Sequence, residues 1–174
     1  MKINKLIAVF TLLIGFQANA NMIEIQVDKN AVNVGEVVNV TLLANIEDAI
    51  DEFDFDFTFD NSVFGFVSDS EQTDLTEGYL SVFAASENLV GLGLGYINFE
   101  TAVQGTYSIT FQLVGLLTGS SEFGLDVNTF QDFFGGASYT VDPVTSTTVN
   151  VSAPATLSLF GVVALALFGF RRKA

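Results

Sequence analysis

The sequence predicts an all-β protein, an antiparallel β-sandwich that lies between two apolar terminal segments. Between the two ends, apolar residues alternate with polar ones at a period of two, as they do along strands with one buried face. Turn-forming residues separate these stretches at the intervals typical of a sandwich, and no stretch shows the 3.6-residue period of a core helix. The chain has 174 residues, which suits one domain with its own core.

The first 20 residues have the layout of a secretory signal peptide. Lys2 and Lys5 precede an apolar run over residues 6–16, and Ala18 and Ala20 then supply small side chains. Small residues at these two positions are what signal peptidase requires, and a run this short does not span a bilayer. We therefore expect a signal helix over residues 1–20, export of the chain, and cleavage after Ala20.

Alternating stretches in the middle of the chain predict the strands. In residues 52–60, the clearest case, four phenylalanines alternate with acids and Thr58. In chain order, the predicted strands are 23–27, 38–42, 52–60, 63–67, 79–84, 92–96, 106–113, 122–127, 138–141 and 147–151. Turns are predicted at 33–36, 60–62, 118–121 and 135–136, and a short helical or loop excursion is predicted near 69–77.

Charge is distributed very unevenly along the chain. All 20 acidic residues lie between Glu24 and Asp142, and Lys29 is the only one of the six cations outside the terminal segments. Residues 21–153 thus contain one cation and twenty acids, a formal charge of −19. A field of that sign repels nucleic acid and favours basic or metal-loaded partners, so we expect no nucleic-acid binding.

The C-terminal segment combines a proline, an apolar run and three adjacent cations. The apolar run, residues 156–170, would measure about 22 Å as a helix, short of the ~30 Å hydrocarbon layer. Arg171, Arg172 and Lys173 would stay in the cytoplasm by the positive-inside rule. We expect a short transmembrane helix with a basic stop-transfer, which holds the preceding domain outside the cytoplasm.

This C-terminal layout resembles a known family of sorting signals. Residues 152–161, SAPATLSLFG, followed by the three cations, resemble the PEP-CTERM tail that bacterial exosortases process in Gram-negative species. Ala153, Pro154 and Ala155 stand where the family has Pro-Glu-Pro, so this variant lacks the glutamate. The resemblance assigns residues 153–174 to the sorting signal and implies an exosortase-like membrane protease as partner. It also implies transient residence in the inner membrane, then the cell surface or extracellular matrix. An uncleaved tail anchor is the alternative.

The middle of the chain resembles a cohesin-type domain. The similarity rests on VNVGEVVNV at 32–40, on IDEFDFDFTFDNSVF at 50–64, and on the alternating run 105–113. It implies a jelly-roll-like sandwich of about nine strands over residues 21–152, related in fold to carbohydrate-binding modules. Well-known members of that family bind dockerin modules. No binding residue can be carried over, because no motif specifies the partner-facing positions.

The sequence offers no catalytic or cofactor-binding residues. The chain contains no histidine and no cysteine, which removes histidine-based serine triads, thiol proteases and the usual zinc sites. Alternate acids on strand 52–60 are about 7 Å apart, whereas Ca²⁺ gathers six to eight oxygens closely around it. Calcium binding therefore needs help from a loop, and a solvated acidic face is the preferred interpretation. Stretches that begin at Asp28, Asp54 and Asp126 lack the glycine and glutamate of an EF-hand.

These observations predict an exported, non-catalytic protein of the cell surface or extracellular matrix that binds a protein partner, such as a dockerin-like protein, or a polysaccharide. The alternative is a carbohydrate-active enzyme or its glycan-binding accessory module. Four tyrosines are candidates for stacking on sugar rings, although packing in the core is the preferred interpretation of each: Tyr79, Tyr96, Tyr107 and Tyr139.

Overall fold

A computed structural model describes residues 21–75, 91–99, 102–142 and 146–154. These residues form eleven β-strands and no helix. The strands are β1 (Met22–Val27), β2 (Ala31–Asn33), β3 (Val37–Ile50), β4 (Glu52–Thr58), β5 (Phe64–Phe66), β6 (Gln72–Thr73), β7 (Gly91–Ile97), β8 (Val103–Gly115), β9 (Gly119–Asp132), β10 (Ala137–Ser138) and β11 (Thr147–Ser152). Within the described ranges, no helix has the length and hydropathy to cross a membrane. The predicted signal helix and transmembrane helix lie outside those ranges.

The strands form two sheets. One has the order β1-β3-β8-β5, with β6 also paired to β8, and the other has the order β2-β11-β9-β4-β7, with β10 also paired to β9. Every strand pair is antiparallel except β2–β11, which is parallel. The prediction of an all-β jelly-roll-like sandwich is confirmed.

The core lies between the two sheets and is rich in phenylalanine. Phe53, Phe55 and Phe57 on β4 are buried, as the period-two pattern predicts. The Phe57 ring packs edge-on against Phe111 of β8 in the other sheet, with ring centroids 5.0 Å apart. It also meets Phe123 of the neighbouring strand β9 at 5.6 Å. Aromatic rings of the two sheets therefore pack edge to face, and this packing stabilises a sandwich that has no disulfides.

Two predicted turns are closed by carboxylates. In the turn after β2, Gly35 has a φ of +86°, which favours glycine, and the Glu36 carboxylate accepts from the backbone N–H of Asn33 at 2.8 Å. This bond is the main cause that lowers the pKa of Glu36. In the second turn the Asp60 carboxylate accepts from the hydroxyl and the backbone N–H of Ser62, which lowers the pKa of Asp60.

The number and lengths of the strands differ from the prediction of about nine. On the side of β8 away from β3, two short strands, β5 and β6, take the place of one strand. At the start of the described chain, β1 belongs to one sheet and β2 to the other. Strand β6 lies inside the stretch 69–77 that was predicted as a helical or loop excursion. The predicted strand 138–141 shrinks to β10 and an isolated bridge between Asn21 and Val141. The predicted strand 79–84 lies outside the described residues.

Candidate binding face

The outer surface of β4 carries a row of acids. Because Phe53, Phe55 and Phe57 point into the core, the alternate residues Glu52, Asp54 and Asp56 must point outward. Asp54 is exposed, and the other two are partly exposed. The row runs along an interior strand of its sheet, between β9 and the edge strand β7.

Strand β7 places glycines directly beside this row. In the register of β4 and β7, Gly95 lies opposite Asp54, Gly93 opposite Asp56 and Gly91 opposite Thr58. The inner positions of β7 are the buried residues Leu92, Leu94 and Tyr96. With no side chain on its outer side at three alternate positions, β7 allows a partner to approach the sheet backbone closely.

On the other side of β4, strand β9 adds more negative charge. Asp126 lies directly opposite Asp56 in the register, and like charges in this position repel. A β-bulge between the partners of Asp54 and Phe55 brings in Asn128, whose Nδ2 donates to Asp56 Oδ2 at 2.8 Å. We call the outer surface of β7, β4 and β9 the acidic face.

No lysine or arginine of the described residues balances this charge. Lys29 is the sole cation between residues 21 and 154, and its Nζ donates to the carbonyl of Val37 at the start of β3, in the other sheet. The acidic face therefore keeps a strong negative potential in the free protein, and cationic partners would relieve it.

Three exposed phenylalanine rings lie at one end of the acidic face. Phe99 follows β7, and Phe133 and Phe134 occupy the turn between β9 and β10; their exposed fractions are 68%, 56% and 61%. Phe134 meets Phe99 at 6.1 Å and Phe133 at 5.5 Å between ring centroids, in edge-on geometries of 63° and 89°. We call these three residues the phenylalanine cluster.

A buried acid holds both arms of the phenylalanine cluster. Asp51, 3% exposed, accepts from the backbone N–H of Phe133 at 2.6 Å and of Phe134 at 3.3 Å. Its own carbonyl accepts from the backbone N–H of Asn98, the residue before Phe99, at 2.8 Å. The backbone that carries all three rings is thus tied to a single residue of the sandwich.

The turn that carries Phe133 and Phe134 is closely specified by its neighbours. The Asp132 carboxylate accepts from the backbone N–H of Gly135 at 2.6 Å. A Cβ at Gly135 would lie within 2 Å of that carboxylate, and Gly136 has a φ of +72°. The φ of Gly136 favours glycine, and a side chain at Gly135 would displace the Asp132 carboxylate, so the exposed rings are presented on a constrained backbone.

The structure favours core packing for the tyrosines that it describes. Tyr96 is only 2% exposed and stacks on Phe53 at 5.1 Å, and burial raises the pKa of its phenol. Tyr107 and Tyr139 pack partly buried against the core. Burial thus removes Tyr96 as a candidate for stacking on a sugar ring, and Tyr79 lies outside the described residues.

The described residues bring together no group of three carboxylates that could hold a metal ion. The calcium hypothesis therefore gains no support from the acids of β4 and β9. The predicted sorting residues lie elsewhere: Ala153 is exposed and Pro154 half-buried directly after β11. The remaining predicted processing residues lie outside the described ranges: Ala18, Ala20, Ala155, Arg171, Arg172 and Lys173.

Sequence reasoning missed the phenylalanine cluster. Alternation assigned the phenylalanines to the core, yet Phe133 and Phe134 are adjacent in the chain, and neighbours on an extended strand cannot both face inward. Their position directly before Gly135-Gly136 was the available signal of exposure. Phe99 carried no such signal, because its exposure follows from where β7 ends.

Comparisons with known proteins agree with the fold. No protein-family model matches the sequence, and no curated protein matches it. Among solved structures, it is similar to a non-cellulosomal cohesin from Archaeoglobus fulgidus, with a TM-score of 0.60 and 14% identity over 77% of this chain and 92% of that chain.

Two further structures show the same likeness. The sixth cohesin of Acetivibrio cellulolyticus scaffoldin B, solved in complex with a double mutant of the Cel5 dockerin, matches with a TM-score of 0.54 and 15% identity over 77% of this chain and 100% of that chain. The cohesin module of a Clostridium perfringens family 33 glycoside hydrolase matches with a TM-score of 0.52 and 13% identity over 78% and 98%. Identities this low show a cohesin-like fold.

Proposed function

We propose that this protein is an exported, non-catalytic binding module that recognises a protein partner through the acidic face and the phenylalanine cluster. The observation that carries the proposal is the continuity of the two features on β7, β4 and β9. Asp126 lies opposite Asp56, the outward row of β4 carries two further acids, and three exposed rings lie at the end of the same strands. A surface that only maintained the fold would gain nothing from either arrangement.

The chemistry of this surface specifies the kind of partner. Uncompensated carboxylates attract lysine and arginine side chains, and charge complementarity speeds encounter and selects the partner. Exposed aromatic rings supply the apolar contacts that dominate binding energy when they are desolvated. We therefore expect a partner surface that combines basic residues with apolar side chains.

The fold supports a protein partner. Several structures with the same fold are cohesins solved together with dockerins. A dockerin-like protein is accordingly the first partner to test, although a shared fold alone does not establish a shared ligand.

Polysaccharide binding is the second candidate, and the geometry favours it less. Rings that stack on sugars present flat faces, whereas the rings of Phe133 and Phe134 are nearly perpendicular. A catalytic role would have to rely on carboxylates, since the chain has no histidine or cysteine.

The terminal segments supply the proposed route to the cell surface. The signal peptide directs export, the C-terminal segment holds the domain at the inner membrane, and an exosortase-like protease processes the tail at the cell surface. Intact mass spectrometry of surface-released protein should show a chain that begins at Asn21 and lacks Arg171, Arg172 and Lys173. Full-length protein in the cytoplasm would contradict this route.

The binding proposal is tested by calorimetric titration of the chain after signal-peptide removal, residues 21–174, in detergent. The probes are a panel of dockerin modules that includes the Cel5 dockerin, and a panel of bacterial exopolysaccharides. Replacement of Asp54, Asp56 and Asp126 by Asn should weaken binding of a dockerin at least about tenfold. The matched control removes the same charge elsewhere, through Glu24→Gln, Asp69→Asn and Asp142→Asn, and should leave the affinity unchanged.

Two results would contradict the proposal. If a dockerin binds and the two triple variants lose affinity equally, net charge and not the acidic face is responsible. If only an exopolysaccharide binds, the function belongs to the glycan-binding alternative.

A further inference from the structure

Two exposed leucines lie on the connection between β8 and β9. Leu116 is 45% exposed and Leu117 is 61% exposed. The connection is nonetheless well held, because the backbone N–H of Leu116 donates to the carbonyl of Val63 at 2.8 Å. Gly65 allows the Leu116 side chain to lie against the backbone, since a Cβ there would meet it at 3.2 Å. We call Leu116 and Leu117 the leucine pair.

The leucine pair lies at the end of the sandwich where β11 finishes. Val151 on β11 pairs with Gly119, the first residue of β9. A Cβ on Gly115, the last residue of β8, would lie 3.0 Å from the Val151 side chain. The leucine pair therefore lies between two residues that both adjoin the end of β11. The phenylalanine cluster, at the other end of β9, lies at the opposite end of the sandwich.

Very little chain separates this end from the apolar C-terminal run. Strand β11 ends at Ser152, and the run begins at Thr156. The four Cα–Cα steps from Ser152 to Thr156 span at most about 14 Å when the chain is fully extended. If residues 156–170 enter a membrane, the end of the sandwich that carries the leucine pair must lie at its surface.

We propose that the leucine pair inserts into the interfacial layer of the membrane that holds the C-terminal segment. This inference rests on the proposed membrane role of that segment. In this orientation the leucine pair contacts the membrane, and the phenylalanine cluster lies at the end of the sandwich farthest from it, accessible to a partner. Apolar side chains reach about 5–10 Å into the boundary between headgroups and acyl chains, which suits a short turn with two leucines.

The negative charges at this end of the sandwich guide the choice of lipid for a test. Glu36 and Asp60 belong to neighbouring turns, since Gly115 donates to the carbonyl of Glu36 and Val63 donates to that of Asp60. Their carboxylates stay in the headgroup water and would be repelled by anionic lipid. A bilayer of zwitterionic phosphatidylcholine is therefore the appropriate probe.

The sequence allows a direct test, because it contains no tryptophan. Three single variants of the chain 21–174, Leu117→Trp, Phe168→Trp and Phe134→Trp, are placed in phosphatidylcholine vesicles with brominated acyl chains. We expect strong quenching of tryptophan emission at position 168, partial quenching with a blue shift at 117, and none at 134. Melting temperatures of the three variants report whether each one folds.

Each outcome decides a different point. Quenching at 168 without quenching at 117 would overturn the inference and leave the membrane role of the tail intact. No quenching at 168 would overturn that role and the inference with it. Equal quenching at 117 and 134 would contradict the upright orientation. If Leu117→Trp does not fold, Leu117→Cys with an environment-sensitive label gives the same reading, since the chain has no other cysteine.

Discussion

The two outer surfaces of the sandwich differ in the charge of their polar side chains. On β3 and β8 of the five-stranded sheet, polar side chains bond to each other across the strands. The hydroxyls of Thr41 and Thr110 lie 3.0 Å apart, and Gln112 donates to Asn39 at 2.9 Å. On the acidic face, amides also donate across the strands, Asn128 to Asp56 and Gln131 to Glu52. There, however, Asp56 lies opposite Asp126, and the sequence supplies no cation beside them.

This difference separates a surface that serves the fold from one that is available for recognition. Neutral donors and acceptors that are paired within the sheet have little to offer a partner. Acids that repel one another are stabilised when a cationic partner arrives, so free energy lost in the free protein is recovered in the complex. Four experiments test this comparison, from the largest expected effect to the smallest.

The largest effect is expected from Asp51, the buried acid that holds the phenylalanine cluster at the end of the acidic face. Asp51→Ala removes the acceptor of two backbone N–H groups. Hydrogen bonds to a charged group contribute about 1.5–3 kcal/mol each, so we expect the free energy of unfolding to fall by about 3 kcal/mol. Urea denaturation measures it. The control Asp54→Ala, an exposed acid three positions away, should not destabilise the protein; equal losses would contradict the role of Asp51.

The next effect concerns the paired surface. Thr110→Val leaves the partly buried Thr41 hydroxyl without its partner and should cost about 1 kcal/mol. The double variant Thr41→Val/Thr110→Val removes both polar groups together and should recover most of that loss. A double-mutant cycle from thermal melts measures the coupling. Additive losses would show that the two hydroxyls do not act as a pair.

A smaller effect of the opposite sign is expected on the acidic face. Asp126→Asn removes the charge that lies opposite Asp56 and should stabilise the protein by about 0.5 kcal/mol. Salt screens exposed charges, so the gain should shrink as NaCl is raised from 10 mM to 500 mM. Destabilisation at low salt would mean that the acids of this face support the fold.

The smallest effect concerns the two carboxylates that close turns, Glu36 and Asp60. The pKa values of Glu36 and Asp60 are lowered by hydrogen bonds within their turns. A lowered pKa in the folded state stabilises the protein above the ordinary carboxyl pKa of about 4, and this stabilisation is lost as pH falls through the folded-state value.

Asp60→Asn should therefore be slightly less stable than the natural chain at pH 7, and the difference should vanish toward pH 2–3. Thermal melts across this range measure it, with Glu36→Gln as the parallel variant. A difference that persists at the lowest pH would show that the charge of Asp60 is not its source.

Local patterns made most of the strands predictable. The alternation of residues 52–60 gave both the burial of Phe53, Phe55 and Phe57 and the outward row of acids, because successive side chains on a strand point to opposite faces. The turns at 33–36 and 60–62 were readable from residues that make their hydrogen bonds with near neighbours in the chain. Strands β2 and β6 were not readable, since two or three residues carry no period and their pairing depends on β11 and β8.

By itself, the sequence determined the fold class, the acidic character of the outer surface of β4, and the absence of residues for histidine- or cysteine-based chemistry. Only the tertiary structure decided that Asp126 lies opposite Asp56, that glycines of β7 flank the acid row, and that Phe99 meets Phe134. The physical reason is the distance along the chain over which each interaction acts. Alternation and turn chemistry act over a few neighbouring residues, whereas strand order and register bring together residues dozens of positions apart.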